Sequence, residues 1–106
     1  MPKKSLDYLT ESMFYVLMAF SRGPKCGTDV VSFIEQHTAG RIQLGPATLY
    51  TILAKFVEAG YLCEIMVEGR KRTYEITDLG RKAYCDEVER LHRCIADAGK
   101  IELKEV

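Results

Sequence analysis

The sequence predicts a mainly helical α+β fold, a winged helix-turn-helix followed by a long C-terminal helix. Apolar residues recur at helical spacing in three segments before residue 62, and a period of two then replaces that spacing. A last segment, from residue 78 to residue 98, returns to helical spacing. We therefore divide the chain into a winged helix-turn-helix domain, 1–77, and a C-terminal helical segment, 78–106, which together form one compact unit.

Length and composition limit the classes of protein that this chain can belong to. Its 106 residues, 47% of them hydrophobic, suit one globular domain with a modest core. The 15 basic and 15 acidic residues give no net charge, which excludes a uniformly basic nucleic-acid-binding protein, so any DNA-binding surface must be local. No apolar run is long enough to cross a bilayer, and the N-terminus lacks the apolar core of a signal peptide. We expect a cytoplasmic protein with no membrane partner.

The first predicted helix begins after Thr10, whose hydroxyl can cap it, and runs from Glu11 to Phe20 or Ser21. Its apolar residues cover more than one face; they are Met13, Phe14, Val16, Leu17 and Phe20. A helix that is apolar on so many sides needs burial on two of them. One side can face its own domain, and the other indicates contact with a second chain.

The second predicted helix runs from about Thr28 to Gln36 or Thr38. Its inner face comprises Val30, Val31, Phe33 and Ile34. Ala39 and Gly40 end it, and the segment 41–44 is predicted to be a short strand. The short connector places a third helix across the second, which is the layout of a helix-turn-helix.

The third predicted helix, 45–59, has one buried and one exposed face. Its buried stripe consists of Leu49, Ile52, Leu53, Phe56 and Val57. Pro46 suits the first helical position, and Gly60 suits the left-handed residue that ends a helix. The exposed face carries small residues, hydroxyls and one cation, which suit phosphates and base edges. The candidate DNA-binding residues on this helix are Pro46, Thr48, Tyr50, Thr51 and Lys55. An ordinary amphipathic surface helix is the alternative.

A β-hairpin follows the third helix. The alternating segment Cys63–Glu68 leads to a turn at Gly69, and Arg72–Ile76 returns with Tyr74 and Ile76 on the inner face. Its tip carries three consecutive cations, Arg70, Lys71 and Arg72. After a helix-turn-helix, a basic hairpin indicates a wing that contacts DNA phosphates or a minor groove. The alternative is a solvated charge run that protects the edge of a sheet.

The last predicted helix begins after Thr77, a candidate cap, and ends near Ala98, before Gly99 breaks it. Apolar residues recur along it at spacings of four and three; they are Tyr84, Val88, Leu91, Ile95 and Ala98. A helix of about 30 Å is too long for so small a domain to cover. We therefore expect a homodimer whose interface includes this seam together with Phe14 and Leu17 of the first helix.

At this point the sequence resembles the PadR family of transcriptional regulators, in its short form with a single C-terminal dimerisation helix. The resemblance covers nearly the whole chain, and two motifs carry it. One is G-P-x-T-L-Y at the start of the third helix, and the other is G-R-x-R-x-Y-x-I-T from Gly69 to Thr77. The resemblance implies a homodimeric DNA-binding regulator, usually a repressor, with the third helix in the major groove of a palindromic operator.

The resemblance also implies an effector site for some members of the family. Some short-form members bind flat aromatic drugs between subunits, stacked on a tryptophan of the last helix, and this chain has no tryptophan. Tyr15 and Tyr84 are the candidate residues for a small hydrophobic or aromatic effector. The chain also departs from the family at Cys26, Gly27 and Thr28, where His-Gly-Tyr is common. Control by abundance, by another protein or by oxidation of Cys85 and Cys94 are the alternatives to a small effector.

Other functions have less support in the sequence. The four cysteines form no C-x-x-C pair, and their spacing relative to the histidines matches no common zinc pattern, so we expect neither a metal nor another cofactor. No nucleophile motif or glycine-rich phosphate loop indicates an enzyme, so we expect no catalytic residues. The remaining alternative is a winged-helix module that docks another protein and does not bind DNA.

Overall fold

The computed structural model describes residues 8–101 of the chain. Residues 1–7 and 102–106, which the predicted segments 1–77 and 78–106 include, lie outside the described range. The elements in chain order are α1 (Glu11–Phe20), β1 (Lys25–Cys26), α2 (Gly27–Thr38), α3 (Pro46–Ala59), β2 (Leu62–Glu68), β3 (Lys71–Ile76) and α4 (Asp78–Gly99). The strands form one antiparallel sheet in the order β1-β3-β2. Mainly helical, with a small sheet, the chain has the predicted fold class.

The predicted helix ends are confirmed by the capping geometry. The Thr10 hydroxyl accepts a hydrogen bond from the Met13 amide at 3.2 Å, and α1 begins at Glu11, the residue after Thr10. Pro46 is the first residue of α3. An N–H at this position would have no partner within the helix, so the lack of one in proline costs nothing. Gly60 ends α3 with φ 81°, a left-handed conformation that glycine adopts without steric cost.

The hydrophobic core lies where α1, α2 and α3 meet the base of the hairpin. Its largest fully buried side chains are Phe20, Phe56, Leu17, Ile34, Leu62, Val16 and Val30. Two predictions need correction here. Leu17, predicted for the dimer interface, is fully buried within its own chain and offers no surface to a partner. Val57, predicted for the buried stripe of α3, is 39% exposed because that stripe continues through Phe56 to Ala59 instead.

The strand predicted at 41–44 is wrong, and the reason lies in the local turn. Ala39 and Gly40 both adopt left-handed backbone conformations, with φ 51° and 77°. The Arg41 amide then donates to the Thr38 carbonyl at 3.0 Å, and the Ile42 amide donates to the Thr38 hydroxyl at 3.1 Å. These bonds use the N–H groups that a strand would have offered to a neighbour.

The sheet contains one strand that was not predicted. Lys25 and Cys26 of β1 pair with Tyr74 and Thr73 of β3, and two residues are too few to show an alternating pattern. The hairpin itself is as predicted, with its turn at Gly69 in a left-handed conformation, φ 62°. Beyond Leu62, however, every residue of β2 is exposed. β2 is an edge strand with an irregularity between Glu64 and Met66, so its alternation marks no buried face.

The last helix, α4, begins beside the end of α3. The Thr77 hydroxyl accepts from the Gly80 amide at 3.0 Å and donates to the Gly60 carbonyl at 2.6 Å, so this residue caps α4 and ties it to α3. Gly99 does not break the helix before its own position, because α4 includes it. The 22 residues of α4 extend the molecule to 57 Å along its longest axis. No helix within residues 8–101 combines the length and apolarity needed to cross a membrane.

Candidate nucleic-acid interface

The first turn of α3 presents polar groups to solvent. Thr48 and Tyr50 are exposed, and 62% of the Tyr50 surface is accessible. Gly45, the residue that precedes the helix, makes no side-chain capping bond. Helical geometry therefore leaves the amides of Ala47 and Thr48 without a partner inside α3, and such amides bind anions well. This end of α3 can meet both phosphates and base edges.

The next turn of α3 continues the same exposed surface. Thr51 is exposed, but its hydroxyl donates to the Ala47 carbonyl at 2.9 Å, so only its oxygen lone pairs face outward. Lys55, one turn further along, is also exposed. With Thr48, these two residues border a shallow groove of about 360 Å³ between α3 and the start of α1. Thr48, Thr51 and Lys55 thus share one exposed side of the helix, and Tyr50 is not among the residues that border this groove.

The three wing cations are exposed, but they are not equivalent. Arg72 Nη1 lies 2.9 Å from Glu64 Oε2 across the hairpin. The hydrogen bond to Glu64, with the attraction of the same carboxylate, raises the pKa of Arg72 further above its usual value. Within residues 8–101, no ion pair engages Arg70 or Lys71. Those two side chains are the wing cations best placed to meet a phosphate.

The wing and α3 border a common groove of about 620 Å³. The residues that line it are Cys26, Gly27, Thr28, Tyr50, Leu53, Arg70, Lys71, Arg72 and Tyr74. The groove therefore brings Tyr50 of the third helix together with all three cations of the wing. Three other α3 candidates, Thr48, Thr51 and Lys55, lie on the side of the helix that faces α1, and the fourth, Pro46, is exposed at the start of the helix.

Sequence reasoning missed the contribution of α2 to this groove. Gly27, the first residue of α2, leaves so little room that an added Cβ would lie 3.3 Å from Leu49 Cδ2 and 3.9 Å from Tyr50 Oη. Cys26 precedes it, and Asp29 Oδ2 accepts from both the Cys26 amide and its thiol at 3.1 Å. The backbone hydrogen bond from Cys26 is the main reason that the pKa of Asp29 is lowered. The only signal in the sequence was the departure from His-Gly-Tyr at this position.

Tyr74 lines the common groove, and Glu64 borders a second groove between α3 and the wing, although neither residue was proposed for the site. Tyr74 lies opposite Glu64 in the hairpin register. Burial, and then the nearby Glu64 carboxylate, raise the pKa of Tyr74. Tyr74 was part of the G-R-x-R-x-Y-x-I-T motif, so its position was visible in the sequence, but the side chain facing it was not.

The predicted seam of α4 changes from half-buried to exposed along the helix. Tyr84, Val88 and Leu91 are half-buried against their own chain. Tyr84 stacks on Phe14 of α1, with ring centroids 5.6 Å apart and an interplanar angle of 19°. Ile95, in contrast, is 70% exposed, and Ala98 is exposed as well. Five of these predicted interface residues therefore keep accessible surface on α4, and Phe14 keeps some on α1.

The two candidate effector-site tyrosines lie on either side of Phe14. Tyr15 meets the Phe14 ring edge-on at 5.9 Å, and Tyr84 stacks on it. Tyr15 is also engaged by Arg41, whose Nη2 donates to the phenol oxygen at 2.8 Å. A cavity of about 290 Å³ between α1 and α4 is bordered by Phe14, Tyr15 and Leu91. Among residues 8–101, no group of three or more potential ligands is arranged to hold a metal ion.

Comparison with solved structures shows where this fold occurs. A transcriptional regulator from Clostridium thermocellum has a TM-score of 0.75 at 24% identity, covering 84% of this chain and 90% of that one. RosR of H. salinarum has a TM-score of 0.69 at 18% identity, covering 92% and 100%. Bacillus subtilis PadR in complex with operator DNA has a TM-score of 0.66 at 19% identity, covering 74% of this chain and 47% of that one.

Comparison of sequences gives the family. A search of curated proteins found no match. The family model described as the transcriptional regulator PadR-like family matches residues 16–86, which run from α1 through the wing into α4. The match therefore includes both motifs that carried the resemblance. This chain belongs to the PadR-like family of transcriptional regulators.

Proposed function

We propose that this regulator is a homodimeric repressor that binds a palindromic DNA operator, with α3 in the major groove and the wing on the flanking backbone. The observation that carries the proposal is the common groove, where exposed Tyr50 of α3 faces the cations Arg70 and Lys71 of the wing. The chain has no net charge, yet these cations lie close together beside a helix that presents hydroxyl and phenol groups, so the basic surface is local. The structural relative from Bacillus subtilis, PadR, was solved with operator DNA.

The reading of sequence is assigned to the first turns of α3. Thr48 and Tyr50 lie near its N-terminus, where side chains of a helix in the major groove meet base edges. Thr51 offers an acceptor, because its proton is bound to the Ala47 carbonyl. Lys55 lies further along the side that carries Thr48 and Thr51, and exposed Pro46 is the first residue of the helix; both suit the phosphate backbone.

Sequence-independent affinity is assigned to the wing. Arg70 and Lys71 are exposed, and no carboxylate of residues 8–101 is bound to them. When such unpaired cations bind phosphates, counterions that are condensed on the DNA are released, which favours binding to any duplex. Arg72 also lies at the tip of the wing, but its charge is partly compensated by Glu64.

The palindrome follows from the proposed dimer. The exposed part of the α4 seam, at Ile95 and Ala98, needs a second chain to cover it. A twofold axis through that seam would place two α3 helices in successive major grooves, about 34 Å apart. Regulation then requires only binding, and we infer no catalytic step.

An effector would act through the spacing of the two α3 helices. Tyr15, Phe14 and Tyr84 form an aromatic cluster beside the proposed interface, and a flat hydrophobic molecule suits such a cluster. A ligand releases DNA only if it binds more tightly to a dimer whose α3 helices do not fit successive grooves.

The test is a titration of duplex DNA with the wild-type protein. Inverted repeats from the DNA that flanks the gene serve as candidate operators, and a scrambled duplex of the same composition serves as control. We expect specific binding that weakens steeply as salt rises, and a dimer in sedimentation at micromolar concentration. Binding to neither duplex at low salt would contradict the DNA-binding proposal and leave protein docking as the function of this surface.

A further inference from the structure

Glu64 is a carboxylate on the surface that is proposed to face a polyanion. It lies on β2 opposite Tyr74, and Arg72 lies two residues from Tyr74 on the same face of the hairpin. Glu64 borders a groove of about 440 Å³ between α3 and the wing, together with Tyr50, Arg72 and Tyr74. Its position is therefore between the two elements assigned to DNA.

The contact between Glu64 and Arg72 is a close, charged hydrogen bond. The two side chains meet at 2.9 Å, with 60% of the Arg72 side chain and 35% of the Glu64 side chain exposed. Ion pairs with this much exposure add little to the stability of a fold. The stability of the hairpin therefore does not explain the pair, which leaves its effect on the charge presented to a ligand to consider.

The effect of the pair is to occupy one of the three wing cations. A phosphate that approaches Arg72 must displace the Glu64 carboxylate or accept its repulsion at short distance. No carboxylate of residues 8–101 forms an ion pair with Arg70 or Lys71, and Asp29 acts on Lys71 only as a longer-range attraction. Of the three wing cations, two are therefore free of an ion pair within the described part of the chain and one is not.

We propose that Glu64 is a positioning residue that keeps Arg72 from DNA phosphates and so limits sequence-independent binding. The inference rests on the proposed function, since it assigns a role within the same DNA surface. Its value for a repressor lies in competition. Genomic DNA offers a vast excess of non-specific sites that compete with the operator for the protein. A repressor with weaker non-specific binding therefore occupies its operator for a larger fraction of the time.

The test compares charge-removing variants on a short duplex of arbitrary sequence across a salt series. In Glu64→Gln, Arg72 is free to bind a phosphate, so the salt slope should steepen by about 0.9 per subunit and affinity should rise at every salt concentration. Glu75→Gln is the matched control, because Glu75 is an exposed carboxylate on the same hairpin whose side chain alternates to the opposite face from Tyr74. It removes the same charge without freeing Arg72.

A double-mutant cycle separates the pair from general electrostatics. Arg72→Gln should change the salt slope little in the wild-type background and reduce it by about 0.9 per subunit in the Glu64→Gln background. Equal effects of Arg72→Gln in both backgrounds, or equal effects of Glu64→Gln and Glu75→Gln, would overturn the role of Glu64 while leaving DNA binding in place. A wild type that binds no duplex at low salt would overturn the proposed function, and this inference with it.

Discussion

Replacing Gly80 by alanine tests how α4 is attached to the DNA-binding part of the molecule. Gly80 is buried in the first turn of α4. An added Cβ would lie 2.8 Å from Ile76 Cγ1 and closer still to the carbonyl oxygen of Tyr61. That carbonyl accepts from the Thr77 amide at 2.9 Å, so it cannot move aside without disturbing the bond between the end of α3 and the start of α4.

The size of the effect follows from opposing contributions. Alanine favours a helix over glycine by about 1 kcal/mol. Overpacking against a fixed neighbour costs about 1–3 kcal/mol, and weakening the Thr77 hydrogen bond costs about 0.5–1.5 kcal/mol. We therefore expect Gly80→Ala to lower the free energy of unfolding by about 0.5–3.5 kcal/mol.

The assay is urea denaturation followed by circular dichroism at a fixed protomer concentration, since the stability of the proposed dimer would depend on concentration. Gly99→Ala is the matched control. Gly99 is also in α4, and nothing lies within 4 Å of its added Cβ, so the variant should gain at most about 1 kcal/mol. A Gly80→Ala variant as stable as the wild type would refute the close approach of α4 to Tyr61.

Three further predictions concern the dimer, the wing and acid stability. Ile95→Asp should shift the sedimentation equilibrium to monomers, because it places a charge in the proposed interface, whereas Ala96→Asp on the adjacent exposed position should not; dimers of unchanged affinity in both would exclude this seam. Replacing Arg70 and Lys71 by alanine should weaken binding to all duplexes and reduce the salt slope by about one unit for each phosphate that is no longer neutralised, with no change in folding; an unchanged slope would exclude the wing as a phosphate-binding element. Glu87 accepts two hydrogen bonds from a neighbouring guanidinium, which lowers its pKa below the usual 4.5, so its contribution to stability is present above pH 4.5 and is lost as the pH falls through its lowered pKa. The urea midpoint of Glu87→Gln should therefore vary less with pH in acid than that of the wild type, and identical profiles would contradict the assignment.

Much of the fold could be predicted because local chemistry specifies it. The hydroxyl of Thr10, the ring of Pro46 and the left-handed conformation open to Gly60 each mark a helix end through the residue's own properties. The wing was predicted for the same reason, from an alternating segment with Gly69 at its turn. These signals depend on neighbours in the sequence, so they can be read without knowing the tertiary structure.

The errors arose where distant residues decide the outcome. Leu17 and Val57 both fit an apolar stripe, and only the packing of three helices determines which side of each stripe is covered. The segment 41–44 has strand-like alternation, but the hydroxyl of Thr38 binds the amide that the strand would need. The two-residue strand β1 exists only because β3 lies beside it.

The candidate site shows the same division. The three wing cations and the exposed residues of α3 could be named from their spacing and from the PadR resemblance. Which cation is paired could not, because Glu64 reaches Arg72 only through the register of the hairpin. The contribution of Gly27 to the groove likewise depends on its approach to Tyr50 in three dimensions.

The central claim is that the exposed face at the start of α3 reads DNA sequence, and the most direct measurement is the ratio of operator to random-duplex affinity for Tyr50→Ala. Tyr50 is 62% exposed, so its replacement should leave the circular dichroism spectrum unchanged. Leu79→Ala, at an apolar position of α4 that is 49% exposed and borders neither groove between α3 and the wing, is the control for a shortened exposed side chain. We expect Tyr50→Ala to lose about 1–3 kcal/mol per half-site on the operator and much less on random DNA, with the control unchanged. A folded Tyr50→Ala protein that keeps the wild-type ratio would contradict the claim.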